Sequence, residues 1–290
     1  MRRRLPEMAV IALYFLLPLV VFWAQTVGGR TLLPTENLYQ YEPYLTARAD
    51  AGAPAIPHNH LLSDLVLQNY PFKLLIREQL ALGELPLWNP HQFAGIAFFA
   101  AGQQSTLYPF SILFYLLDLP AAYGWFMVVQ LWLAGTFMFL FARGLGISRL
   151  GASVAGVTFQ LAGFFVISAV FPMIIAAGVW LPLILLMIEY IIRRQRAFGR
   201  EAAPLWAGLG ALALGCAVLA GHVEITYYTL LIAGVYAAGR LLSYTPDEAA
   251  QRPGWRAWIA ARAERAAWLL GLVVMGMLLG AVQFIPTVEA

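Results

Sequence analysis

Seven apolar runs constrain this chain more than any other feature. Each approaches the roughly 20 residues that a helix needs to cross a hydrocarbon core of about 30 Å. They lie at residues 8–27, 121–142, 151–171, 173–192, 204–220, 223–242 and 267–285. Lipid offers no partner to a backbone N–H or C=O, so runs of this kind fold as helices. The predicted fold is an all-α integral membrane protein, a polytopic helical bundle making one transmembrane domain over residues 1–290. Only 11% of the residues are charged, against about a quarter in soluble domains. The first run follows Met1-Arg-Arg-Arg4 and is longer than the apolar core of a signal peptide, about 7–15 residues. It reads as a retained helix.

A long polar loop, residues 28–106, separates the first run from the rest. The apolar stretch 107–117 that ends it is too short to cross. With Pro109 and Pro120 beside it, it reads as a re-entrant or interfacial helix whose backbone must be covered by protein. The basic residues set an orientation. With the N-terminus in the cytoplasm, the inner segments hold Arg2–Arg4, Arg143, Arg149, Arg193, Arg194, Arg196, Arg200, Arg240, Arg252, Arg256, Arg262 and Arg265, which is fourteen of the 18 Lys and Arg residues. Arg30, Arg48, Lys73 and Arg77 remain for the large loop, which is therefore expected outside. The sequence stops at Gln283-Phe-Ile-Pro-Thr-Val-Glu-Ala290, as the seventh run reaches the outer face, and so reads as a piece of a longer polytopic protein. The basic residues lie in short patches between spans, which gives no reason to expect nucleic acid. The single cysteine, Cys216, sits in an apolar run and gives no disulfide, redox or metal signal.

Function is expected in the loop, where polar groups are kept beside a bilayer. The segment Leu61–Leu82 favours helix on both sides of Pro71, so two helices should meet near Tyr70-Pro71. Asp64 and Gln68 share one stripe at i, i+4, with no basic partner in the same turn. Asp64 is thus either a general base or, with Ser63, a helix cap. Glu36, in Leu33-Pro-Thr-Glu-Asn37, is a second acid within reach of the interface or a turn residue beside Pro34. Gly83-Glu-Leu-Pro-Leu-Trp-Asn-Pro90 has the chemistry of a stiff turn. In it Trp88 offers a plate for the interface or for a sugar face, and Asn89 a donor and an acceptor. Gln103 and Gln104 could line a polar cavity. His222 and Glu224 stand at the outer mouth of the fifth span, but their i, i+2 spacing makes no metal site, and no zinc pattern occurs. Glu189 can pair with Arg193 at i+4.

Three classes suit such a chain: a transporter or flippase of a lipid-linked or envelope precursor, a non-catalytic scaffold, and a membrane-embedded enzyme acting on a lipid-linked substrate. The span centres hold neutral groups such as Gln130 and Gln160, whereas a transporter calls for ionisable residues or broken helices there. Acids and aromatics at one rim fit the enzyme best.

The segments Asn59-His-Leu-Leu-Ser-Asp64, Gln68-Asn-Tyr-Pro71, Gly83–Pro90, Phe93-Ala-Gly95, Gln103-Gln-Ser105 and Tyr108-Pro109 resemble the YfhO-type bacterial membrane proteins. Arg143–Ser148, Trp180-Leu-Pro182, Gly221-His222 and Gln283–Pro286 follow in the same order. That family is similar to the GT-C class of glycosyltransferases. The resemblance implies a GT-C bundle in a bacterial inner membrane. It implies a polyprenyl-phosphate sugar as donor and an envelope polymer or glycolipid as acceptor. Asp64 stands where the class carries its catalytic acid, in the first outer loop. The chain departs from related sequences at Glu36, where Asp is frequent. Arg30, Lys73, Arg77 or His222 would offset the donor phosphate, and a divalent cation would fall to Asp64, Glu36 or Glu224, although no spacing supports one.

Overall fold

A computed structural model describes residues 5–243 and 255–289. Arg2, Arg3, Arg4 and Arg252, which enter the orientation argument, lie outside the described residues. About 72% of the chain is helical, with two short hairpins, Trp88–Asn89 paired with Ile96–Ala97 and Arg196–Ala197 paired with Arg200–Glu201. The helices run α1 (Leu5–Val21), α2 (Trp23–Thr26), α3 (Tyr70–Ala81), α4 (Ile112–Leu116), α5 (Leu119–Gly144), α6 (Arg149–Gln160), α7 (Gly163–Ile167), α8 (Pro172–Gly178), α9 (Leu181–Ile192), α10 (Ala203–Leu219), α11 (Val223–Ser243) and α12 (Trp255–Glu289). Among the described residues, five stretches are long and apolar enough to cross a membrane: Leu119–Gly144, Arg149–Val170, Pro172–Ile192, Val223–Ser243 and Arg262–Glu289. The chain is an all-α membrane protein.

Seven apolar runs thus become five full-length spans and two shorter helices. The helices α1 and α10 have 17 residues each, about 26 Å at 1.5 Å per residue, less than the hydrocarbon thickness. In the first run Pro18 lies inside α1 and lacks the N–H that would hold the preceding turn, yet the helix runs on past it. The helix ends three residues later and resumes only as α2. Two of the full-length spans are themselves interrupted, one at Leu161–Ala162 between α6 and α7, the other at Val179–Trp180 between α8 and α9.

The helix α5 is the centre of the bundle and packs on α1, α6, α8 and α9. The pair α10 and α12 closes by small-to-large matching. Leu272 lies over Gly210, Leu214 over Gly276, Leu279 over Gly215 and Val218 over Gly280, each so close that a Cβ on the glycine would collide. Dispersion between such surfaces, rather than water exclusion, holds helices together in lipid.

The two ends of the bundle differ in chemistry. At one, the C-termini of α5, α9 and α11 present unpaired carbonyls, and arginines take them. Arg193 donates to Gly144 O (3.5 Å), Arg265 Nε to Ile192 O (2.8 Å) and Arg262 Nε to Leu241 O (2.9 Å). Cations there also complement the negative ends of the helix dipoles. The carboxylate of Glu189, fully buried, is shared by Arg193 and by Arg240, whose two nitrogens lie at 2.7 and 2.8 Å, and it also accepts from Tyr236 Oη (2.9 Å). The opposite end carries the large loop.

Candidate functional site

The loop is pinned to the bundle through backbone and amide groups. Ser105 Oγ donates to Ala220 O (2.6 Å), Thr31 Oγ1 to Pro120 O (2.9 Å), and both Gln104 Nε2 (3.0 Å) and Gln283 Nε2 (2.7 Å) donate to Phe99 O. Gly221 has φ +81°, and a Cβ there would strike the carbonyl of Gly102. The close approach of these two backbones brings Gln103 beside His222.

Below that contact lies a cavity of about 210 Å³, lined by Asp64, Leu65, Gln68, Asn69, Phe72, Gln103, Phe171, Met173, Ile174 and His222. One wall is polar and comes from the loop; the other is apolar and comes from Phe171 and α8. The polar wall rests on a π-helical turn, Leu65–Asn69, in which the Tyr70 N–H reaches back to Leu65 O. Pro71 follows at the start of α3 and has no N–H to give to the turn before it. The sequence thus changes helix type near Tyr70-Pro71 instead of starting a separate helix. A π turn aligns residues five apart as well as four, so Asn69 joins Asp64 and Gln68 in the wall.

Asp64 is exposed and its side chain makes no cap hydrogen bond. Asn59 caps the turn before it, its Oδ1 accepting from the Leu61 N–H (3.0 Å), whereas Ser63 Oγ donates to His60 O (2.7 Å) and caps no N–H. Asn37 Nδ2 donates to Asn59 O (2.8 Å) and Ser63 Oγ (3.1 Å), which fixes the segment that carries Asp64. Among the described residues, no ion pair or hydrogen bond occupies the Asp64 carboxylate. His222 is half-buried, and its Nδ1 accepts from the Ile225 N–H (3.3 Å). Burial lowers its pKa below the usual imidazole value, an effect only partly offset by Glu224. The neutral ring then carries its proton on Nε2.

Of the residues singled out from sequence, the cavity unites Asp64, Gln68, Gln103 and His222. The others lie apart from it. The Glu36 carboxylate accepts from the His58 N–H (2.6 Å), tying down the same segment as Asn37. Trp88 stacks over Gly95, and Asn89 accepts from the His91 N–H (2.9 Å) and donates to Gln92 Oε1 (3.2 Å) within its hairpin. Glu224 accepts from Tyr228 Oη (2.9 Å) one turn along α11. Gln104 is fully buried against Phe99.

No family model, curated protein or solved structure matches this chain.

Two of the four cations proposed for a phosphate are already used. Lys73 is buried, donates to Gln104 O (2.5 Å) and lies 4.6 Å from the centre of the Phe114 ring, with burial lowering its pKa to about 7. Arg77, one turn on, donates to Leu117 O (3.2 Å) at the end of α4. Together they clamp α4 against α3. Arg30 and His222 remain, and of these His222 lines the cavity. The carboxylates proposed for a divalent cation do not fit one. Glu36 and Glu224 are bonded elsewhere, and among the described residues no three His, Cys, Asp or Glu side chains meet.

Sequence reasoning missed Asn69. It is almost fully buried, and its Oδ1 accepts from Tyr123 Oη on α5 (2.7 Å). The available signal was Pro71: a proline two residues after an amide, inside a helix-favouring run, marks a place where the periodicity changes.

Proposed function

We propose that this chain is a membrane glycosyltransferase of GT-C type. It moves a sugar from a polyprenyl-phosphate donor to an envelope polymer or glycolipid, at the extracytoplasmic face of a bacterial inner membrane. The observation that carries the reading is Asp64. It is a carboxylate free of ion pairs and hydrogen bonds among the described residues, in a cavity with one amide-rich and one apolar wall, at the loop end of an all-α membrane bundle.

In the reaction, Asp64 accepts the proton of the acceptor hydroxyl. The hydroxyl oxygen forms a bond to the anomeric carbon as the bond from that carbon to the phosphate oxygen breaks, and the configuration inverts. The polyprenyl phosphate leaves with the bonding pair. His222, with its proton on Nε2, donates a hydrogen bond to a phosphate oxygen. Phe171, Met173 and Ile174 keep water from the reacting carbon. No step runs through a metal ion, because among the described residues Asp64, Glu36 and Glu224 do not converge on one.

The test is Asp64→Asn in cells that make the whole protein. The expected result is a loss of transferred sugar from the surface polymer of at least about 10²-fold, the scale of general-base catalysis, with membrane insertion unchanged. Undiminished transfer by an inserted Asp64→Asn protein overturns the assignment.

A further inference from the structure

The polar wall of the cavity has an unusual charge inventory. Its polar groups are one carboxylate, Asp64; three amides, Gln68, Asn69 and Gln103; and one imidazole, His222. Among the described residues no lysine or arginine lines it. Lys73 and Arg77, the nearest cations in sequence, are turned into α4, where one meets Gln104 O and the Phe114 ring and the other meets Leu117 O. A volume of about 210 Å³ is below the roughly 300–1,000 Å³ of sites that enclose drug-sized ligands. It suits one small polar unit, not a whole lipid.

Asn69 shows how the wall is oriented. Among the described residues the Tyr123 hydroxyl meets no acceptor other than Asn69 Oδ1 (2.7 Å), so the hydroxyl donates and the amide oxygen accepts. This fixes the flip of the amide and leaves its Nδ2 donors for the cavity, which Asn69 lines. Amides that both donate and accept match the hydroxyls of a neutral sugar. They do not neutralise a carboxylate on the ligand, which would also face Asp64 in a partly water-excluded site.

We infer that this cavity seats an uncharged sugar ring, held by the amides of Gln68, Asn69 and Gln103, and rejects a uronic acid. The inference rests on the sugar-transfer reading and adds the class of sugar. Tyr123 is a positioning residue: it acts through Asn69.

The test is binding of two synthetic donors, polyprenyl-phosphate glucose and polyprenyl-phosphate glucuronic acid, to the full chain in nanodiscs. The neutral donor is expected to bind at least 10-fold more tightly. Asp64→Asn is expected to narrow that gap by strengthening binding of the glucuronic acid donor, and Tyr123→Phe by weakening the neutral one. A merely structural role for Tyr123 would lower the Tm and leave the ratio of the two affinities unchanged. Equal binding of both donors by the unaltered chain overturns the inference and leaves the transfer reading intact. Failure of the neutral donor to bind overturns both.

Discussion

At the scale of single residues, the span centres give up their meaning only in the folded chain. Gln160 reads from sequence as a neutral polar group in mid-span, and its partner is a backbone atom. Pro18 has no N–H, so the Tyr14 carbonyl, four residues back, loses its bond within α1. Gln160 Nε2, from α6, donates to that oxygen (2.6 Å). Gly156 makes the approach possible, because a Cβ there would meet the Tyr14 ring. Both proline and glutamine were visible in the sequence. The pairing of residues 146 positions apart was not, since no local pattern records it. An unsatisfied backbone carbonyl in a dry interior costs about 1–3 kcal/mol, which makes the pair testable as a thermodynamic cycle. Gln160→Leu is expected to destabilise the protein by about 1 kcal/mol more with Pro18 present than in a Pro18→Ala background. Thermal unfolding in detergent measures the difference, and equal effects in the two backgrounds would show that Gln160 does not serve the carbonyl.

At the scale of elements, the decisive feature is the π turn Leu65–Asn69. An α-helical reading of this segment correctly aligns Asp64 with Gln68, and misses Asn69 because a period of 3.6 puts it on another face. Pro71 forces the difference. As an interior helical residue it would clash with the carbonyl of Leu67, and widening the preceding turn relieves the clash. The site therefore depends on a locally less stable helix. Pro71→Ala lets the turn relax to regular α-helix, which rotates Asp64 and Asn69 out of common alignment. Sugar transfer is expected to fall by at least 10-fold, while the Tm stays level or rises. Loss of activity together with a large fall in Tm would point instead to general damage to the loop. The arginine end shows the same dependence of elements on single partners. Basic residues that sequence reasoning treats as topology signals also close the open C-termini of α5, α9 and α11, a role that no count of charges contains.

At the scale of the molecule, helical content was legible because lipid leaves an apolar segment no other backbone solution. The interruptions inside the spans were less so. Pro182, in the first turn of α9, marks the break at Val179–Trp180, whereas no proline stands at the break at Leu161–Ala162. Nor could sequence foretell that the loop docks through carbonyls and small residues, as at Gly102 and Gly221, since backbone contacts carry no residue signature. What the assembled molecule adds is a separation of chemistries along one axis: capped, arginine-rich ends on one side, and the cavity with its single carboxylate on the other. Arginine-rich short loops stay in the cytoplasm during insertion, so the two ends should face different compartments. Cys216 is the sole cysteine, and Cys216→Ser gives a background for single reporters. Phe93, 92% exposed on the loop hairpin, and Phe198, 99% exposed on the hairpin between α9 and α10, are matched sites at opposite ends. In intact spheroplasts, a membrane-impermeant maleimide is expected to label Phe93→Cys and to reach Phe198→Cys only after permeabilisation. The reverse pattern would put the cavity in the cytoplasm, where an enzyme using an extracytoplasmic lipid-linked donor has no substrate.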